Sequence, residues 1–308
     1  MASTTTDARI PLAGGARAAG GAAVLARRRR PLRRRAANWT WNAVAVLVAL
    51  VMAFPIYWMV LTAIKPAGSN LTATPQFWPH GLTWHSFSEV LNDPEFLPDM
   101  RNSALITLGT VVCAMVIGFL GALAIARFRF HGRKVFIFTV LIVQMVPLIA
   151  LTIPLSSMLG NAGLHDTIIG TIIAYLAFSM PYGVWTLRTF IANVPRELDE
   201  AALVDGCTRW QTAYLIILPL TMPGLVATGV YGWIQAWNEF LLANVLLTGG
   251  GHQTLQIWLL SFQSSPTHGA DWGGLMAGGT LTALPLVVLF MAFQSRISSG
   301  LTAGAVKG

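Results

Sequence analysis

The chain contains one charged and capped segment, Glu200-Ala201-Ala202-Leu203-Val204-Asp205-Gly206, followed nine residues later by Ile216-Ile217-Leu218-Pro219. Most of the remaining sequence is apolar. Pro195 suits the first position of a helix, and three acidic side chains follow it where the positive end of a helix dipole favours them: Glu197, Asp199 and Glu200. Gly206 is expected to end this helix of about three turns in a left-handed conformation, which glycine adopts readily.

A second helix is predicted directly after Gly206. Thr208 and Gln211 have the spacing of a capping box, and Pro219 is expected to end the helix that Thr208 begins. The segment is therefore predicted to be a helix-turn-helix between two membrane spans. Its first helix carries a narrow face of small and apolar side chains that would fit a groove of another protein: Leu198, Ala201 and Ala202.

The composition is that of a membrane protein. Of the 308 residues, 55% are hydrophobic and only 10% are charged, whereas soluble domains contain about 25% charged residues. The net charge of +8 would also fit a nucleic-acid-binding protein, but that function requires the basic residues to form one footprint. Here they follow membrane topology, so lipid and not nucleic acid is the expected partner. Cys113 and Cys207 lie far apart and predict no disulfide.

Six apolar segments have about the 20 residues needed to cross the hydrocarbon. They lie near 43–64, 102–126, 135–158, 168–190, 220–246 and 272–293. The predicted fold class is an all-α polytopic membrane protein with six transmembrane helices. We expect a disordered basic tail over 1–40, because it has little apolar content. The six-span domain should cover 41–296, with the polar loop at 191–219, and a short tail should cover 297–308.

The basic residues predict the orientation of these spans, because cytoplasmic loops collect lysine and arginine. Nine lie in the N-terminal tail, four in 127–134, three in 188–209 and two after the last span, so eighteen of the twenty fall on one side. Only Lys65 and Arg101 lie elsewhere. Both termini and the loop 191–219 are therefore predicted to be cytoplasmic.

Small residues recur every four positions in the second apolar segment: Ala114, Gly118, Ala122 and Ala126. Gly274 and Gly278 repeat the pattern in the sixth. Such faces let neighbouring membrane helices approach closely. We expect them to pack on helices of this chain or of a partner chain.

Polar residues share one side of the fifth predicted span, spaced i, i+4, i+7 and i+8: Tyr231, Gln235, Asn238 and Glu239. A central carboxylate costs about 2 to 3 kcal/mol on insertion scales, so Glu239 should face the bundle interior. The shared side either lines a polar solute path or forms hydrogen bonds between helices, and both interpretations stay open. Gln144, Ser179 and Tyr182 of the third and fourth spans are further candidates for the path.

Motifs of enzymes are missing from the sequence. None of the three lysines follows a glycine, so the chain has no Gly-Lys pair of the kind that binds ATP phosphates. There is no HExxH zinc motif and no Gly-x-Ser-x-Gly elbow. We therefore expect a chain that is not an enzyme, with no catalytic residue, metal or cofactor of its own.

The polar segment resembles the EAA loop of permease subunits of bacterial ABC importers: Glu-Ala-Ala, three residues, Gly, nine residues, Ile, one residue, Leu-Pro. Every position of that pattern is met. Two further stretches resemble carbohydrate permeases of the maltose type: Trp237-Asn238-Glu239-Phe240 and the C-terminal residues Gly300–Gly308. The resemblance covers residues 40–308 and implies a bacterial plasma-membrane protein.

This resemblance implies a function and a set of contacts. The chain would be half of the translocation pathway of a binding-protein-dependent sugar importer, and its EAA loop would couple ATP hydrolysis to uptake. The implied coupling residues are Glu200, Ala201, Ala202, Asp205, Gly206, Leu218 and Pro219. The implied tail contacts with the ATPase are Gly304, Val306, Lys307 and Gly308.

The implied partners are a second permease subunit, two ATP-binding subunits that carry ATP and magnesium, and an extracytoplasmic solute-binding protein near Thr248–Asp271. In the maltose transporter the sugar is held mostly by the other permease chain. We expect a disaccharide or amino-sugar oligomer such as trehalose or chitobiose. An ion-coupled secondary transporter and a permease for a non-sugar solute remain alternatives.

Overall fold

The computed structural model describes residues 32–66, 70, 74–78, 81–263 and 271–305, with side chains described between residues 39 and 294 of these ranges. Every regular element in this part of the chain is helical. The α-helices are α1 Leu32–Ile64, α2 His85–Asn92, α3 Phe96–Arg127, α4 Arg133–Met145, α5 Leu148–Asn161, α6 Ile168–Asn193, α7 Arg196–Val204, α8 Arg209–Thr212, α9 Leu218–Trp237, α10 Leu241–Leu246, α11 Leu255–Trp258 and α12 Trp272–Ala305. A π-helical turn, Ala213–Ile217, lies between α8 and α9, and a 3₁₀ helix, Leu259–Gln263, follows α11.

Five helical segments are long and apolar enough to cross a membrane: Trp39–Ile64, Phe96–Arg127, Ile168–Asn193, Arg209–Trp237 and Trp272–Gln294. The pair α4 and α5 meets the same criteria when it is taken as one bent span. The described residues thus provide five spans, or six when the bent pair is counted as one, and the predicted all-α polytopic fold is confirmed.

The chain divides into two units between Pro55 and Ile56. In the first unit, the described side chains of α1 are all exposed, among them Trp39, Leu47 and Met52. α1 begins at Leu32, inside the predicted tail 1–40. The second unit holds all the other helices and the candidate site.

The segment 135–158 was predicted to be one continuous span. The structure divides it into two helices. α4 and α5 meet at an angle of 103°. Pro147 causes the break, because a proline ring excludes the helical conformation from the residue before it. Val146 accordingly has extended backbone, with φ −74° and ψ 122°. Pro154, by contrast, lies inside α5 without ending it.

The fifth span begins and ends earlier than predicted. Pro219 does not end the helix that begins at Arg209, because one helical segment continues from Arg209 to Trp237. The π-helical turn ends at Ile217, two residues before this proline, and widens the helix where the proline ring would crowd the preceding carbonyls. The second helix of the polar loop is therefore the start of the fifth span. At the other end the helix stops at Trp237, well short of the predicted residue 246.

The helices α3 and α6 pack closely along the predicted small-residue face. Ala114, Gly118, Ala122 and Ala126 are all buried, and a Cβ added at Gly118 would lie 3.3 Å from the carbonyl carbon of Gly183. The prediction for the second span is confirmed. Gly274 and Gly278 of the sixth span pack against other side chains of this chain. Phe262 lies 2.6 Å from a Cβ added at Gly274, and Trp258 lies 3.0 Å from a Cβ added at Gly278.

Candidate functional site

The first helix of the polar loop ends in a complete glycine cap. Gly206 has φ +88°. Its N–H donates to the Leu203 carbonyl at 3.2 Å, and the Cys207 N–H donates to the Ala202 carbonyl at 2.9 Å. These two bonds satisfy carbonyls that a helix end leaves unpaired. The predicted left-handed end at Gly206 is confirmed.

The next helix begins only two residues after that glycine, at a capping box. The Thr208 N–H donates to Gln211 Oε1 at 2.7 Å, and the Gln211 N–H donates to Thr208 Oγ1 at 3.3 Å. Because both ends of the connection are fixed by hydrogen bonds, α7 is held firmly to the start of the fifth span. The capping box was correctly predicted from the sequence.

The surface of this helical pair differs from the predicted docking face. Ala202 is buried at 4% exposure and packs inside the chain, so it cannot lie in a groove of another protein. Leu198 and Ala201 of the predicted face are exposed. Leu203, Val204 and Trp210 add exposed apolar side chains that were not predicted, and Val204 is 87% exposed. Such an exposed apolar patch beside charged residues is typical of an interface with a partner protein.

The remaining coupling residues fall into two places. Glu200, Ala201, Asp205 and Gly206 are exposed on or just after α7. Leu218 and Pro219 lie at the start of α9, within the fifth span and beyond the exposed tip. Of the predicted tail contacts, Gly304 lies in the last turn of α12, whereas Val306, Lys307 and Gly308 lie outside the described residues.

An ion pair that the sequence did not reveal connects α7 to the end of α3. The Arg127 Nε atom lies 3.0 Å from Asp199 Oδ2, and the arginine side chain is only 7% exposed. A second guanidinium nitrogen, Nη2, donates to the Val194 carbonyl at 2.9 Å. Arg196 Nη2 donates in return to the Ala126 carbonyl at 3.2 Å. In the sequence, Arg127 is recognisable only as one of the basic residues that indicate topology, and its position at the end of a span is the one local hint of a contact.

Five of the seven candidate solute-path residues line one cavity of about 180 Å³, among them Gln144, Tyr182, Tyr231 and Gln235. The cavity lies between α4, α5, α6 and α9. The rings of Tyr182 and Tyr231 are stacked, with their centroids 4.1 Å apart. Gln144 Nε2 donates to the Pro181 carbonyl at 3.3 Å, which fixes one amide at the cavity wall. Ser179 also lines this cavity.

The other two candidates, Asn238 and Glu239, do not line the cavity. Because α9 ends at Trp237, the helical spacing that placed all four polar residues on one side does not extend to them. Asn238 Nδ2 donates to the Ile234 carbonyl at 2.8 Å. The Glu239 carboxylate accepts from the N–H groups of Leu242 at 2.8 Å and Ala243 at 3.0 Å. Glu239 therefore caps α10 instead of facing a solute.

Substitution of Glu239 should affect stability and leave solute selection unchanged. Glu239→Ala leaves two buried N–H groups unpaired, at about 1–3 kcal/mol each, so we expect the melting temperature of the purified protein to fall by several degrees. Glu239→Gln keeps one acceptor and should fall less. The exposed Glu89 provides a control, Glu89→Ala, with no expected change. A change of imported solute in Glu239→Gln at an unchanged melting temperature would contradict the capping role.

The outer segment before the last span is anchored on this chain where it is described. The Leu255 N–H donates to Ser103 Oγ at 2.8 Å, and Asn102 Nδ2 donates to the Gln253 carbonyl at 3.1 Å. Trp258 is buried and its Nε1 donates to Asp93 Oδ2 at 3.2 Å. Residues 264–270 lie outside the described residues, so contact with a solute receptor stays a prediction.

Together, a membrane-spanning helical bundle, a polar intramembrane cavity and an exposed helical pair joined rigidly to one span define a transport protein. Residues 106–302 match the family described as binding-protein-dependent transport system inner membrane component. The chain belongs to this family: it is a permease subunit of an ABC importer and not an enzyme.

Two relatives are similar over nearly their whole length. The diacetylchitobiose uptake system permease protein DasC of Streptomyces coelicolor is 39% identical, with 87% of this chain and 96% of the relative covered. The trehalose transport system permease protein SugB of Mycobacterium tuberculosis is 34% identical, with 89% and 99% covered. These matches confirm the resemblance to carbohydrate permeases.

Solved structures share the fold. A chain of a bacterial ABC transporter involved in the import of the acidic polysaccharide alginate superimposes with a TM-score of 0.72 at 22% identity, covering 85% of this chain and 96% of that chain. A bacterial alginate ABC transporter in complex with an alginate pentasaccharide-bound periplasmic protein gives a TM-score of 0.63 at 16% identity, covering 87% and 98%.

Proposed function

We propose that this chain forms half of the translocation pathway of an ATP-driven importer for a disaccharide or an amino-sugar oligomer. The observation that carries this proposal is the similarity, over most of the chain, to permeases named for diacetylchitobiose and trehalose uptake. The polar, aromatic-lined cavity supports it, because sugar sites combine ring surfaces with amide and hydroxyl groups.

The coupling role belongs to the loop 191–219. α7 exposes Val204, and the cap at Gly206 joins this helix to a fifth span that runs on to Trp237. At about 1.5 Å per residue, the 22 residues from Arg209 to Tyr231 span about 33 Å. A displacement of α7 by an ATP-binding subunit would therefore be transmitted along one helix to the cavity wall.

The same displacement would reach a second wall of the bundle through Arg127, which ties α7 to α3. α3 packs along α6, and α6 carries Ser179 and Tyr182 of the cavity. Closure of the ATP-binding subunits would thus move two cavity walls together. This is how two global states with different affinity for the solute-loaded receptor would be coupled to nucleotide binding.

The proposal includes partners and an orientation. Two ATP-binding subunits would hold ATP and magnesium, because this chain has no Gly-Lys phosphate motif. A second permease subunit would complete the pathway, and an extracytoplasmic solute-binding protein would deliver the sugar. The distribution of basic residues supports cytoplasmic termini and a cytoplasmic EAA loop in a bacterial plasma membrane.

The test is uptake by the complete transporter, purified with its sister permease, ATP-binding subunits and receptor and reconstituted in proteoliposomes. We expect import of radiolabelled diacetylchitobiose or trehalose that requires both ATP and the receptor. Glycerol 3-phosphate serves as the non-sugar probe. Import of glycerol 3-phosphate, without import of either sugar, would show that the solute is not a sugar. Uptake by vesicles that contain only this chain, driven by an ion gradient, would identify a secondary transporter and overturn the proposal.

A further inference from the structure

A smaller recess adjoins the cavity. This recess, of about 10 Å³, is lined by residues of α3, α6 and α9, and it shares Ser179, Tyr182 and Gly232 with the larger cavity. Thr228 also lines the recess, so that one serine and one threonine face it. We call this feature the hydroxyl recess. Its volume is close to the minimum that accommodates one water-sized group.

The two hydroxyls of the hydroxyl recess have no hydrogen-bond partner among the described residues, although both are buried. Ser179 is 8% exposed and Thr228 is 3% exposed. Serine and threonine in helices usually bond to the carbonyl four residues earlier. Thr221, on the same helix as Thr228, does so at 2.8 Å. An unpaired buried hydroxyl costs free energy, and at Ser179 and Thr228, unlike at Thr110, the hydroxyl lines a recess that can admit a partner from outside the chain.

Two glycines that line the hydroxyl recess, Gly229 and Gly232, are not required by tight helix packing. Added Cβ atoms would lie 3.8 Å from Met115 Sδ at Gly229 and 3.8 Å from Val111 Cγ2 at Gly232. Both distances are ordinary van der Waals contacts. Alanine would therefore fit at either position, and this part of the recess wall is not a site of tight helix contact.

The polar side chains that line the adjoining larger cavity are uncharged. Among the described residues that line it, the polar groups are the amides of Gln144 and Gln235 and the hydroxyls of Ser179, Tyr182 and Tyr231, and none carries a charge. A charged solute would lose its hydration here without meeting a counter-charge from this chain. A neutral polyhydroxyl compound fits better, because its hydroxyls can bond to amides while its C–H surface contacts the tyrosine rings.

We propose that Ser179 and Thr228 bind one hydroxyl group of an uncharged sugar, so that this chain itself takes part in solute selection. The inference rests on the proposed function as a sugar permease. It goes further, because it assigns a solute subsite to residues of this chain. Tyr182, which stacks on Tyr231, lines both the recess and the larger cavity.

The experiment compares Ser179→Ala and Thr228→Val in the reconstituted complete transporter, with whichever of diacetylchitobiose and trehalose the unmodified complex imports. Removal of one hydrogen bond to the solute should lower ATP-driven uptake about tenfold. ATP hydrolysis stimulated by the loaded receptor should persist, because neither residue lies in the coupling loop. Analogues of the same sugar that each lack one hydroxyl test the pairing. The unmodified complex should import the analogue that lacks the bound hydroxyl more slowly than the parent sugar. The two variants should import that analogue and the parent sugar equally well.

Thr110→Val is the matched control. Thr110 is also fully buried with an unpaired hydroxyl, but it does not line the hydroxyl recess. Its uptake should equal that of the unmodified complex. Equal uptake and discrimination in all variants would overturn the inference while the sugar import itself stands. A parallel loss of uptake, ATP hydrolysis and melting temperature would assign the hydroxyls to packing and also overturn it. Failure of the unmodified complex to import either sugar would instead refute the proposed function.

Discussion

Gly206→Val should lower ATP-driven uptake by a factor of about 5–30 or more, while the chain still inserts and assembles. Gly206 has φ +88°, and a Cβ added there would meet nothing within 4 Å. The substitution is therefore opposed by backbone conformation alone, at about 1–2 kcal/mol, and by more for a β-branched side chain. That free energy corresponds to a factor of about 5–30 in the population of the native cap. The measurement is uptake and ATP hydrolysis in the same proteoliposomes, together with the amount of assembled complex.

The cap at Gly206 offers a graded series of substitutions. Asparagine tolerates the left-handed conformation better than alanine, and valine tolerates it least, so uptake should decrease in the order Asn, Ala, Val. Gly163 supplies the matched control, since it has φ +69° and also has nothing within 4 Å of an added Cβ. Gly163→Val imposes similar strain at the turn between α5 and α6 and should spare the ratio of transport to ATP hydrolysis. Equal uncoupling by both variants would contradict a special role for α7.

The features that were predicted correctly depend on neighbours in sequence. The cap at Gly206 and the capping box at Thr208 were both recognisable because each is formed by residues within a few positions of one another. The six apolar segments were recognisable for a similar reason, since the hydrocarbon sets a minimum length for each. Interactions between residues close in sequence, together with the thickness of the membrane hydrocarbon, were sufficient to predict these elements.

Two prolines show where local reasoning failed. Pro147 breaks the third predicted span and Pro219 leaves the fifth intact, although a proline disrupts both hydrogen-bond ladders in the same way. The difference lies in the preceding turn, which is extended at Val146 and π-helical before Pro219. That choice depends on how the neighbouring helices hold each segment and is not encoded by the proline.

The misplacement of Glu239 has a related cause. A helical period can be extrapolated only as far as the helix continues, and α9 stops at Trp237. Five of the candidate path residues do share one cavity, because they lie on continuous parts of their helices. The hydroxyl recess could not have been found in the same way. Thr228 and Ser179 lie on different spans, and their missing partners are visible only when the packing is known.

Disruption of the Arg127–Asp199 pair should uncouple ATP hydrolysis from uptake. Arg127 contacts α7 at the Asp199 carboxylate, 3.0 Å away, and the residue before the α7 cap at the Val194 carbonyl, 2.9 Å away. Arg127→Gln removes the charge and leaves a carboxylate that is only 21% exposed without its partner. We expect uptake per ATP hydrolysed to fall about tenfold, because hydrogen bonds to charged groups contribute about 1.5–3 kcal/mol and this pair is partly solvated. Arg129→Gln, an equal charge change at an exposed residue, should leave the ratio unchanged.

The double substitution Arg127→Gln with Asp199→Asn decides whether the two side chains act through each other. If they do, the double variant should be no worse than Arg127→Gln alone, because the unpaired carboxylate has been removed as well. Arg127→Lys separates charge from shape, since an ammonium cannot reach the carboxylate and the Val194 carbonyl with the planar fork that Arg127 uses. We expect Arg127→Lys to restore only part of the coupling. Strictly additive losses in the double variant would mean that Arg127 and Asp199 act on α7 independently, and α3 would then move with α7 only through its apolar packing.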